Sequence, residues 1–173
     1  PGISDMQSMF NSAHHLNLAH GLALETFRKG NFPGKIGTTL NLILPKPASD
    51  SPEDILAADR AADNQSRMYL HPLLGKGYPK RYVEAYPEVQ LPIQDGDMKC
   101  IAGKIDFLGI NYYSESTAAY DRKHPEHYKL VDTGYPKTAM GWDITPNGLF
   151  RLLEWTHKEC GNLPLIITEN GSA

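Results

Sequence analysis

The stretch "IDFLGINYY", Ile105 to Tyr113, decides the fold. It is a short apolar run that closes on polar and aromatic residues. Such a run reads as a buried strand when helical patterns flank it. Two comparable runs occur. "GKIGTTLNLIL", from Gly34, is rich in β-branched residues and lies between Pro33 and Pro45. "PLIIT", Pro164 to Thr168, breaks off before the turn pair Asn170-Gly171.

Helical periodicity fills the spaces between them. From Ser4 to about Lys29, residues Met6, Met9, Ala13, Leu16, Ala19, Ala23 and Phe27 recur at spacings of three and four. They predict one apolar stripe, with Ser4 as N-cap and Gly30 as the stop. Ser51, Pro52 and Asp54 make a strong helix start. That helix is expected to run to about Leu70 and to bury Ile55, Ala58, Ala62 and Tyr69. "GYPKRYVEAYP" predicts a short helix closed by Pro87. Thr145 and Pro146 open a further helix through Cys160. The polar stretch Ser114 to Gly141 has no clear period and exceeds an ordinary connection. It is either functional or a hairpin excursion.

The order helix, strand, helix, strand, helix, strand predicts parallel strands joined by right-handed helical crossovers, an α/β architecture. The strands read as apolar on both faces, as in fully covered parallel sheets. No linker divides the 173 residues, so a single domain is expected.

Composition narrows the function. The formal net charge of −3 gives no electrostatic reason to expect nucleic acid or an anionic membrane as partner. No apolar run approaches the roughly 20 residues that cross a bilayer. The first residues, "PGISDMQSMF", have neither a basic nor an apolar signal region, and a cytoplasmic location is expected. Cys100 and Cys160 lack metal-ligand spacing and read as free thiols. His14, His15 and His20 share one helix, but at about 100° per residue His14 and His20 diverge by roughly 120° and His15 and His20 by roughly 140°. None of these pairs has the four-residue spacing of a zinc pair. No cofactor is expected.

The candidate chemistry sits where strands end, because parallel α/β proteins gather working residues at strand C-termini. Glu169 ends the third strand. Asn111, Tyr113 and Glu115 lie at or just past the end of the second. A tyrosine hydroxyl that donates to a carboxylate orients it and favours its ionised form, as a nucleophilic carboxylate requires. Taken singly, these residues read equally well as polar strand ends packed against a loop.

Together the motifs resemble a family. "AHHLNLAHG" (Ala13–Gly21), "DFLGINYY" (Asp106–Tyr113), "MGWDITPNGLF" (Met140–Phe150) and "TENG" (Thr168–Gly171) occur in this order. They are similar to segments of the β-glucosidases of glycoside hydrolase family 1, retaining enzymes built on a TIM (β/α)8 barrel. The resemblance covers essentially the whole chain. It implies a partial barrel running from about the fourth helix through the seventh strand, without a cofactor, acting on a β-glucoside or oligosaccharide. Glu169 would be the catalytic nucleophile, Tyr113 the phenol that orients it, and Asn111 part of the sugar pocket. The Gly141-Trp142 stretch would belong to the loop before the sixth barrel helix, with no direct catalytic role.

Departures from the family pattern shape this expectation. No Asn-Glu-Pro, the family's acid/base motif, occurs in the chain. The family's early sugar-binding glutamine and histidine are also missing, as is the eighth strand with its tryptophan and glutamate. A full barrel takes about 250 residues. The resemblance therefore implies a piece of a retaining β-glycosidase, inactive alone and prone to self-association. Glu115 is the one visible substitute for the acid, and no motif supports it. A 6-phospho-β-glycosidase piece is the alternative within the class. A non-catalytic half barrel is the alternative outside it.

Overall fold

A computed structural model describes residues 2–172. Its main sheet has three strands, β1 (Gly37–Asn41), β3 (Phe107–Tyr112) and β6 (Leu165–Asn170), in the order β1-β3-β6. Both pairings are parallel. The long helices are α1 (Met6–Lys29), α2 (Pro52–Ala62) and α6 (Pro146–Cys160). Shorter ones are α3 (Met68–Leu73), α4 (Lys80–Glu84) and α5 (Asp97–Ile101). Three parallel strands alternating with helices make a partial barrel.

The sheet is amphipathic, which corrects the expectation of strands apolar on both faces. Leu108, Ile110 and Tyr112 of β3 join Leu42, Leu70 and Leu152 in one core, with Leu40, Leu44, Leu149 and Trp155 packed against it. These alternate residues face the helices. The residues between them, Thr39 and Asn41 on β1, Gly109 and Asn111 on β3, and Tyr113 just past its end, face the other way. That inner face carries the polar side chains.

Ser114–Gly141 contains a hairpin. Strands β4 (Thr117–Tyr120) and β5 (Tyr128–Leu130) pair antiparallel, and the two-residue β2 (Lys46–Pro47) adds in parallel to β4. This second sheet lies against α2 through Ala57, Ala58, Ala61, Ala118 and Tyr128.

Several helix readings need correction. The N-cap of α1 is Asp5, not Ser4: its carboxylate accepts from the Ser8 backbone N–H at 2.8 Å. The buried stripe of α1 is Phe10, Ala13, His14, Asn17, Gly21 and Leu24, while Leu16 is 64% exposed. Polar partners rotate the stripe. His14 is engaged by the Tyr78 hydroxyl at 2.9 Å and by Asp97 at 3.1 Å, and Asn17 donates to the Met68 carbonyl at 3.3 Å. Burying polar groups costs little once they are paired.

The second helix is likewise not continuous. Residues Asp63–Arg67 form a π-helical segment between α2 and α3. Ser51 caps α2 as expected, accepting from the Asp54 N–H at 3.2 Å, but Ile55 is exposed and Ala57, Ala58, Ala61 and Ala62 are buried. The π segment places Arg67 to donate to Asp63 at 2.8 Å and Asp59 at 2.7 Å and to lie over the Trp155 ring of α6. Such segments are short and sit where a specific side chain must be placed.

The start of α6 is fixed to the end of β3. The Tyr112 hydroxyl donates to the Thr145 carbonyl at 2.6 Å, and burial pushes that phenol above its ordinary pKa. Thr145 is the N-cap residue of α6 as expected, but its side chain makes no capping hydrogen bond. Its hydroxyl instead accepts the Glu115 N–H at 3.0 Å. Gly148 permits this close approach, because a Cβ there would stand 2.0 Å from the Tyr112 hydroxyl and 2.9 Å from Glu115 Oε2. Gly148→Ala is therefore expected to destabilise the chain by about 1–3 kcal/mol through overpacking. Urea unfolding measures it, and an unchanged midpoint would show that the contact can relax.

Candidate active site

The C-terminal ends of the three parallel strands bring the polar residues into one row. Asn41 of β1 pairs with Asn111 of β3, which pairs with Glu169 of β6. The Tyr113 hydroxyl donates to Glu169 Oε2. Thr168 Oγ1 donates to Asn111 Oδ1 at 2.7 Å, and Asn170 Nδ2 donates to the Tyr112 carbonyl at 2.8 Å. Three of the four strand-end residues singled out from the sequence, Glu169, Tyr113 and Asn111, thus share one surface. Glu169 is exposed, while Asn111 and Tyr113 are half-buried.

Two further residues join them. The Trp142 ring lies 5.3 Å from the Tyr113 ring at 44°. Trp142, Tyr113, Ser114, Asn41 and Ile43 line a hollow beside the row. Asn41 escapes a reading by motif because its position follows from strand register. Trp142 carries one visible signal, a large aromatic in a polar loop. The loop is held in place by polar contacts. Ser114 donates to the Asp143 carbonyl at 2.7 Å, Thr133 donates to Asp143 Oδ2 at 2.7 Å, and the Thr138 N–H donates to the Trp142 carbonyl at 2.9 Å.

Glu115 is not part of this surface. Its carboxylate is buried and forms an ion pair with Arg151 of α6, on the helix side of the sheet. The Glu115 carboxylate beside it holds the Arg151 guanidinium above its usual pKa. A carboxylate committed this way anchors a helix and is poorly placed to protonate a leaving group near Glu169. Among the described residues, no group of three or more His, Cys, Asp or Glu could hold a metal ion. No described helix is long and apolar enough to cross a membrane.

Parallel strands alternating with helices, with polar residues gathered at the strand C-termini, are the arrangement of β/α-barrel proteins. The particular family follows from comparison. The glycosyl hydrolase family 1 model matches residues 1–173, and the chain belongs to that family. It is 35% identical to β-glucosidase A of Acetivibrio thermocellus over the whole of this chain and 40% of the relative. Among solved structures, it matches a β-glucosidase from Exiguobacterium marinum with TM-score 0.92 and 35% identity, over 100% of this chain and 40% of that one. It also matches the Thermotoga maritima family 1 glycoside hydrolase complexed with a cyclophellitol analogue transition state mimic, with TM-score 0.89 and 37% identity, over 100% and 39%. The chain thus spans about 40% of the length of these relatives.

Proposed function

We propose that the chain is the segment of a retaining β-glucosidase that carries the nucleophile, from about the fourth helix through the seventh strand of the barrel. Glu169 attacks the anomeric carbon of a terminal β-linked glucoside and forms a glycosyl-enzyme. Tyr113 orients the attacking oxygen, and Asn111 contacts the sugar. Water then releases the sugar with its β configuration retained. The observation that carries this reading is the Tyr113 hydroxyl donating to Glu169 on the inner face of a family 1 chain. β-Glucosides are favoured as substrates because the similar chains named above include two β-glucosidases. The acid that protonates the leaving oxygen belongs, on this reading, to the part of the barrel that the relatives have and this chain does not. The unpaired thiols Cys100 and Cys160 suit a reducing compartment such as the cytoplasm.

The test is a completed barrel: this segment spliced in register into a full-length relative such as β-glucosidase A of Thermotoga maritima. It should hydrolyse an aryl β-glucoside and give β-glucose first by NMR. An α product at early times would refute the retaining mechanism. Tyr113→Phe in the same barrel should lower kcat by about 10–100-fold, because a carboxylate left free to rotate spends less time in the attacking geometry. A change below twofold would remove Tyr113 from the mechanism.

The same reading predicts self-association of the isolated chain. The outer edges of β1 and β6 are unpaired among the described residues, and Ile166 and Ile167 are each 46% exposed. Open parallel edges with apolar side chains recruit other chains. Sedimentation at tens of micromolar should find dimers or larger species, and a stable monomer would contradict this.

A further inference from the structure

The pairing of β3 with β6 is irregular at one point, and that point lies beside Glu169. Leu165, Ile166 and Ile167 pair in step with Leu108, Gly109 and Ile110. The register then shifts, so that Glu169 rather than Thr168 pairs with Asn111, and Asn170 pairs with Tyr112. Thr168 is the extra residue of a β-bulge. In an unbroken ladder Glu169 would pair with Tyr112, whose side chain is buried towards α6, and a one-residue shift exchanges the two faces. The bulge instead turns Glu169 to the inner face, where Tyr113 meets it.

Thr168 faces inward as well. A Cβ at Gly109 would stand 2.9 Å from Thr168 Cγ2 and 2.4 Å from Thr39 Oγ1, so the glycine makes room for both threonines. Thr168 Oγ1 donates to Asn111 Oδ1 at 2.7 Å. This bond ties the Asn111 carboxamide to β6. The oxygen is held towards β6, and Nδ2 points away from Thr168 with no protein acceptor among the described residues.

We propose that Thr168 is a positioning residue for the reaction. Its bulge aims Glu169, and its hydroxyl locks Asn111 so that Nδ2 is presented as a donor to a substrate hydroxyl beside the anomeric carbon. The kinetic part of this inference rests on the function proposed above. The lock itself does not.

The experiment compares Thr168→Val with Thr168→Ser. Valine keeps the β-branched shape and loses only the hydroxyl, while serine keeps the hydroxyl. In the completed barrel, T168V should lower kcat/KM on an aryl β-glucoside by about 10–100-fold, the scale of a small misplacement at a reacting centre. T168S should stay within about threefold of wild type. The effect must pass through Asn111, so T168V in an Asn111→Ala background should change the rate by less than about twofold. Multiplicative effects of the two substitutions, or unchanged kinetics in T168V, would overturn the proposal. A wild-type completed barrel with no turnover would overturn the functional reading instead. The lock would then be judged in the 173-residue chain by the Asn111 carboxamide 13C resonance. It should move in T168V and stay in T168S, and an unmoved resonance in T168V would overturn the lock.

Discussion

The 173-residue chain by itself is expected to release no measurable product from an aryl β-glucoside. A retaining glycosidase needs two carboxyl groups about 5–5.5 Å apart, one to attack and one to protonate the leaving oxygen. Glu169 can serve as the first. Glu115, the substitute acid visible in the sequence, is buried in an ion pair with Arg151 on the opposite side of the sheet. Loss of general acid catalysis alone typically removes about 10²–10⁴-fold. Exposure of Glu169 on an open sheet also admits water where a closed barrel would hold fixed dipoles. The isolated chain should therefore fall at least about 10⁴-fold below a full-length relative. Turnover near that of a full-length enzyme, abolished by Glu169→Gln, would mean that an acid is present in the chain.

The second large effect concerns Glu169 in the completed barrel. Glu169→Ala should lower kcat by about 10⁴–10⁶-fold, the usual scale for removing a covalent nucleophile. The space left by the carboxylate should admit a small anion. Azide or formate should restore part of the rate, and with azide the product should be the α-glycosyl azide. A single displacement from that face inverts the anomeric carbon, whereas the two displacements of the intact enzyme retain it. Residual activity above about one per cent of wild type, without anion rescue, would deny Glu169 the role.

Much of this site is legible in the sequence because strand ends and turn pairs are local signals. The run "PLIIT" followed by Asn170-Gly171 places Glu169 at a strand terminus, and "GINYY" does the same for Asn111 and Tyr113. Their meeting depends on parallel pairing, which the alternation of helices and strands already predicts. What stays hidden is set by pairing across distance. The bulge at Thr168 leaves no mark in "LIITEN", because one extra residue does not disturb a short apolar run. Asn41 gains its place only through register with Asn111. The stripe of α1 is misread for a related reason: apolar periodicity cannot foresee that Tyr78, Asp97 and the Met68 carbonyl wait to receive His14 and Asn17. The continuous helix predicted from Ser51 overlooks the π segment, which ties Arg67 to Asp59, Asp63 and Trp155 from a distant helix.

Trapping the covalent intermediate tests the central claim most directly. A 2-deoxy-2-fluoro β-glucoside with a good leaving group destabilises the oxocarbenium-like transition state of both steps. The activated leaving group restores the first step, so the glycosyl-enzyme accumulates. Proteolysis and mass spectrometry of the completed barrel should find the sugar on the "IITENG" peptide, esterified to Glu169. Glu169→Ala should remove the label while the protein stays folded. A label on Glu115 or any other residue, or inverted product with no trapped intermediate, would contradict the role given to Glu169.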